Sequence, residues 1–184
     1  MKGNKSAVRL LYTAAIFIAS AVILCAVFAP LLAPYDPSAV SPEEILEHSS
    51  AAHWFGTDAL GRDILSRVIY GARSSVAFAF CSAFCTMALG LSLGMVSGYF
   101  GGLTDKSVQC LVALFQGLPG TSLMIAIAAI LPENDFRIII ALTLTSWTGF
   151  SRIVRNEVLR IKGETYMEGI RSIGAGHWLS LIHI

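Results

Sequence analysis

Residues 74–104 read SSVAFAFCSAFCTMALGLSLGMVSGYFGGLT, a run without one charged side chain. About 20 helical residues cross the roughly 30 Å of a bilayer's hydrocarbon core, so this stretch is long enough to span a membrane. Two further uncharged runs, 10–35 and 107–132, meet the same length. A fourth, 138–151, is shorter. Arg137 at one end and Arg152 and Arg155 at the other can snorkel outward, and Ile153 and Val154 extend its apolar character. The expected fold is therefore an all-α polytopic membrane protein with four transmembrane helices in these 184 residues.

Composition agrees with that reading. Apolar residues make up 55% and charged residues 14%, with a mean hydropathy of +0.68, against roughly 45–50% and 25% in soluble domains. Thirteen Lys plus Arg against twelve Asp plus Glu leave a net charge of +1, so no basic field is available to hold nucleic acid. Cys25, Cys81, Cys85 and Cys110 all lie in apolar runs, where a thiol acts as a small hydrophobe rather than half of a disulfide framework.

Lys2, Lys5 and Arg9 precede the first run as they would in a signal peptide, but its apolar core exceeds the roughly 7–15 residues of a signal h-region and is read as a permanent anchor. With the N-terminus inside, nine Lys and Arg fall on the cytoplasmic side and four outside, which favours that orientation. The expected organisation is a cytoplasmic N-terminus and first span over 1–35, an extracytoplasmic loop over 36–73 and a helical core over 74–184. Within the loop, Ile64, Leu65, Val68 and Ile69 share a helical face opposite Arg62, Asp63, Ser66, Arg67 and Arg73, predicting an amphipathic interfacial helix before the chain turns inward at Ser74. Trp54 and Phe55 can anchor its start at headgroup depth.

Gly90, Gly94 and Gly98 recur every four residues, a face that lets helix backbones approach closely. Cys81 and Cys85 share a face without a His or carboxylate in their span, so no metal site is read there. Gly117-Leu-Pro119-Gly120 interrupts the third span, where proline removes a backbone hydrogen bond and forces a kink or break. Such a kink either lines a solute path or serves packing, and both readings stand on these residues. No span carries an ionisable residue deep in its apolar stretch, as ion-driven carriers do. The chain contains no G-x-x-x-x-G-K-[ST], H-E-x-x-H or G-x-S-x-G, and His48, His53, His177 and His183 are scattered. No catalytic residue, cofactor or enzymatic role is read.

The segment after the fourth span is more informative. Thr165-Tyr-Met-Glu168 has capping-box spacing, predicting a short helix. Met167, Ile170 and Ile173 form its apolar ridge, and Gly174 stands where a left-handed C-cap would end it. The ridge either docks onto another protein or folds back on the span ends.

Glu168-Gly169-Ile170-Arg171-Ser172-Ile173-Gly174 resembles the Glu-Ala-Ala-x-x-x-Gly loop of permease subunits in binding-protein-dependent ABC importers, with both alanines replaced. His53-Trp-Phe-Gly-Thr-Asp58-x-x-Gly61-Arg62-Asp63-Ile-x-Ser66-Arg67 resembles more specifically the dipeptide, oligopeptide and nickel branch, C-type subunit. The likeness continues through Gly98-Tyr-Phe-Gly-Gly102-x-x-Asp105 and Trp147-x-x-x-Ser-Arg152-x-x-Arg155. The resemblance implies a type I importer permease of the bacterial or archaeal inner membrane that passes a peptide or nickel complex. The implied partners are a second permease subunit, cytoplasmic ATPase subunits, an extracytoplasmic solute-binding protein and membrane lipid. Tyr166, Met167, Glu168, Gly169, Ile170, Arg171, Ile173 and Gly174, within a coupling loop at about 156–184, would contact the ATPase. A non-transporting membrane scaffold that recruits a cytoplasmic partner is the alternative. The branch typically has six spans and ends its loop His-Ile-Leu-Pro about ten residues after the glycine, whereas His183 comes nine after Gly174. On the resemblance, the chain is expected to be truncated with two spans absent, and residues 179–184 are set aside from fold reasoning.

The orientation is testable. In a variant lacking the four native thiols, a cysteine at Glu44 should react with an impermeant maleimide from outside; reaction only after permeabilisation would reverse the topology.

Overall fold

The computed structural model describes residues 5–134, 136–172, 174, 176–177 and 179–180, and falls into two compact units, Met1–Ala79 and Phe80–Ile184. Among the described residues regular structure is helical throughout, with one isolated antiparallel bridge between Thr57 and Asp63.

In the first unit, α1 (Lys5–Val27) contains the apolar stretch Val8–Val27. Pro30 then occupies the first turn of the four-residue α2 (Ala29–Leu32), where a missing N–H costs nothing. Ala33 leaves the helix in an extended conformation ahead of Pro34 and Pro37. A 3-10 turn at Pro42–Glu44 follows, and α3 (Ile64–Phe100) begins.

The start of α3 corrects one expectation. The amphipathic segment predicted to end at Ser74 and the span predicted to start there are one 37-residue helix. No proline lies between Ile64 and Phe100, so nothing in the backbone forces a break. Nor is its early face arranged as predicted: Asp63 and Ser66 are buried, while Val68 is 56% exposed.

In the second unit, α3 gives way at Gly101 to α4 (Gly102–Gln116), which is followed by α5 (Gly120–Ile130), α6 (Phe136–Lys162) and α7 (Thr165–Ser172). The break predicted at Gly117-Leu-Pro119 is present: α4 and α5 meet at 92°, with Pro119 as the N-cap of α5. By length and composition α1 and α3 can each cross a membrane, and α4 with α5 makes a third crossing if the bent pair is one span. The fourth predicted span lies in α6. That helix is long enough, but Thr143, Thr145, Ser146, Thr148 and Ser151 dilute its apolar run ahead of Arg152 and Arg155.

The glycine period of α3 does what its spacing predicts. A Cβ added at Gly94 would stand 2.6 Å from the Ser151 carbonyl oxygen and 2.8 Å from Val154 Cβ. At Gly90 it would meet the Trp147 carbonyl and the Phe150 ring at 3.0 Å, and at Gly98 the Val158 side chain at 2.9 Å. The three glycines therefore seat the backbone of α3 directly against α6, whose facing residues Trp147, Ser151 and Val158 are buried. Trp147 also meets the edge of Phe115 from α4, with ring centroids 5.7 Å apart.

A matched pair of substitutions tests this seam. Gly94→Ala should destabilise the folded protein by about 1–3 kcal/mol through overpacking. Gly149→Ala, on the same α6 but with nothing within 4 Å of the added carbon, should be neutral or gain up to about 1 kcal/mol from helix propensity. Thermal midpoints in detergent report both, and equal midpoints would mean that α3 and α6 do not approach as described.

Candidate functional site

The predicted site residues gather on and after α7. α6 closes with Gly163 N–H donating to the Arg160 carbonyl (3.2 Å) and Glu164 N–H to that of Ile161 (3.0 Å). The chain turns at once into α7, whose first bond runs from Met167 N–H to the Glu164 carbonyl (3.0 Å). Thr165 is thereby taken in as the first helical residue. Among the described residues no hydrogen bond joins its hydroxyl to Glu168, so the capping box is not formed, because no extended residue remains at 165 to act as N-cap.

Met167, the first residue of the predicted ridge, is fully buried within the chain and unavailable to a partner. Tyr166 is 50% exposed, and Glu168 and Gly169 are exposed. The Glu168 carbonyl accepts from the Ser172 hydroxyl at 2.8 Å. Ile173 and the side chains of Ile170 and Arg171 lie outside the described residues. Gly174 has φ +86°, the left-handed conformation its position predicts, with open space around the missing Cβ.

Two side-chain clusters that the sequence reading missed hold this region. At the corner of α3 and α4, Asp105 receives Arg155 through both carboxylate oxygens (2.6 and 2.5 Å) and the Ser97 hydroxyl at 2.5 Å. The bidentate fork ties α4 to α6 and adds geometric specificity to the charge pairing. Beside it, Tyr99 accepts from Lys162 Nζ at its carbonyl (2.7 Å) and hydrogen-bonds His177 Nδ1 through its hydroxyl (3.0 Å).

The loop of the first unit is a second organised region. Asp63 caps α3: its carboxylate accepts from the Ser66 amide (2.7 Å) and hydroxyl (2.6 Å), and its other oxygen lies 3.0 Å from His53 Nδ1. His53, Asp63 and Ser66 are all buried. Ser66 Oγ in turn accepts from the Tyr35 amide (3.1 Å), and the Tyr35 ring lies over His53 at 4.8 Å. Asp58 holds Arg62 Nε at 2.9 Å and pairs with Arg67, while Thr57 donates to the Glu44 carbonyl. Gly61, at φ +72°, packs so closely on Ser41 that any Cβ would overlap its carbonyl oxygen. The bond to Asp63 raises the His53 imidazole above its ordinary 6.5; burial opposes it and the charges of Glu44, Asp63 and Glu47 assist. Burial pushes the Asp63 carboxyl up, but hydrogen bonds from Ser66 and His53 prevail and hold it below its ordinary 3.8. Among the described residues no group of three or more His, Cys, Asp and Glu could hold a metal ion.

Residues 90–184, more than half of the chain, match the family model described as binding-protein-dependent transport system inner membrane component. The chain is similar to the oligopeptide transport system permease protein OppC of Bacillus subtilis (strain 168), 37% identical over 154 residues, 84% of this chain and 50% of the relative. It is similar to the dipeptide transport system permease protein DppC of the same organism, 37% over 175 residues, 95% and 53% respectively. The glutathione transport system permease protein GsiD of Pectobacterium atrosepticum is 36% identical over 161 residues, 87% and 54%. The chain spans about half the length of the curated relatives it matches.

The buried His53–Asp63 pair carries a pH dependence of definite sign. His53, raised, contributes stability that is complete below 6.5 and lost as pH climbs through its elevated value. Asp63, lowered, contributes above 3.8 and fails as pH falls through its depressed value. A nitroxide at Ser49→Cys, in a background free of native thiols, should therefore be least mobile between those limits and gain mobility as pH rises through the elevated His53 value. Asp63→Asn should remove the alkaline arm; an unchanged arm would assign it elsewhere.

Proposed function

Because the chain belongs to the family of binding-protein-dependent transport system inner membrane components, we propose that it forms the membrane-spanning part of an ATP-driven importer, as a C-type permease subunit, and carries short peptides. The relatives' names, with oligopeptide, dipeptide and glutathione, support a peptide cargo over a nickel complex. In this reading α6 is the fourth span, six spans make up the whole permease, the N-terminus faces the cytoplasm and the His53–Asp63 loop lies outside. The partners are a second permease subunit, a solute-binding protein that delivers the peptide and separate ATPase subunits where ATP is hydrolysed.

The observation that carries the reading is the form of α7. It is a two-turn helix at the end of α6, held within the matched residues 90–184, with Tyr166, Glu168 and Gly169 exposed and a left-handed turn at Gly174. A short helix fixed to a span end and open on one face suits docking in a groove of another subunit. Closure of the ATPases would then displace α7 and bias a two-state pathway in the membrane. In this reading the docking face includes the exposed Tyr166, Glu168 and Gly169, and Met167, buried within the chain, is not part of it.

Gly174→Val in the full-length protein places a β-branched residue at positive φ and should cost about 1–3 kcal/mol in the turn, roughly a 5- to 150-fold loss of the docked population. Glu168→Ala removes an exposed carboxylate with no capping role, so the fold should be kept and only association weakened. Co-purification of the ATPases and uptake of labelled dipeptide report both variants. Parental levels of both for Gly174→Val would exclude α7 as the coupling element and favour a scaffold role.

A further inference from the structure

Tyr99 is the penultimate residue of α3 and is 5% exposed. Its carbonyl lies in the last turn of the helix and accepts from Lys162 Nζ at 2.7 Å, with the ammonium at the negative end of the α3 dipole and 5.8 Å from the Tyr99 ring centroid. The hydroxyl of the same residue meets His177 Nδ1 at 3.0 Å, and the two rings stand edge to face at 5.7 Å and 83°. Phe100 adds a second ring 6.0 Å from His177.

The two partners lie on opposite flanks of α7. Lys162 ends α6, just before the turn into α7, and His177 follows Gly174. Lys162 and His177, which flank α7 in sequence, are thus both fastened to one residue of α3. Packing of α6 on α3 does not call for the second fastening, since the seam at Gly90, Gly94 and Gly98 already joins those helices. What the His177 bond adds is control of the far side of α7, including the left-handed turn at Gly174.

We propose that Tyr99 is the positioning residue of the coupling segment: it clasps both flanks of α7, so that a push on α7 moves the end of α3 instead of being absorbed in the connecting turns. This rests on the permease reading above. The ends of α3, α4 and α6 are stiffened nearby by the Ser97–Asp105–Arg155 cluster, so displacement arriving at Tyr99 meets a braced corner.

The test is Tyr99→Phe, which deletes the hydroxyl and keeps the ring, beside His177→Ala and the double variant, each reconstituted with its ATPase subunits and a solute-binding protein in lipid vesicles. Labelled dipeptide transported per ATP hydrolysed should fall about fivefold in either single variant, as for loss of one hydrogen bond. The double variant should fall no further, and ATPase co-purification should stay at the parental level. Hydrogen exchange over 164–172 should rise in all three. A parental transport ratio in Tyr99→Phe, additive losses in the double variant or loss of co-purification would each overturn the clasp. If the parental assembly moved no dipeptide, the permease reading would fail and take the clasp's coupling role with it, and the exchange data would still show whether the bond orders α7.

Discussion

At Gly94 the backbone of α3 lies so near Ser151 that a single extra carbon would stand 2.6 Å from a carbonyl oxygen. That approach governs the second unit. With the two helices in backbone contact, Ser97 comes within reach of the Asp105–Arg155 pair and the Tyr99 carbonyl within reach of Lys162, and the polar ties at the end of α3 follow. A larger side chain at the seam would move those groups apart by more than the few tenths of an ångström that separate a hydrogen bond from a miss. Helices in a membrane have no hydrophobic drive toward one another, so close packing of small residues has to supply the association.

The first unit solves a different problem. A loop of about 30 residues between helices has to satisfy its backbone without forming a sheet, and it does so through side chains that reach back to the main chain. Thr57, Asp58, Asp63 and Ser66 supply most of these bonds. The His53-to-Arg67 motif is accounted for as this internal scaffold: His53, Asp58, Gly61, Arg62, Asp63, Ser66 and Arg67 each have a partner or a steric reason within the loop. Trp54 and Phe55 are left exposed and lie outside that scaffold.

Features governed by short-range periodicity or by a single backbone constraint were readable from the chain. The four-residue spacing of Gly90, Gly94 and Gly98 announces a close helix contact, and Gly117-Leu-Pro119 announces a break because proline cannot donate. Gly174 announces a left-handed turn. Boundaries were less readable: nothing between Arg62 and Ser74 marks whether two helices or one will form, and Thr165 looks like an N-cap until the tight exit from α6 draws it into the helix. The pairs Asp105–Arg155 and Tyr99–His177, separated by 50 and 78 residues, have no periodic trace at all. Asp63-x-x-Ser66 was the one local signal available, since an acidic residue three before a serine at a helix start is a cap; the amphipathic pattern around it drew the reading toward a lipid-facing surface.

The bond from the Tyr35 amide to Ser66 joins residues 31 apart in sequence. A ribosome adding about 5–20 residues per second needs roughly 2–6 s to cover that distance. Until Ser66 has been made the Tyr35 amide lacks that acceptor, whereas the bonds of Thr57 to residues 44 and 47 do not wait for it. Asp63 and Ser66 arrive together with the first turn of α3, so the tie from Tyr35 becomes possible only once that turn has been made.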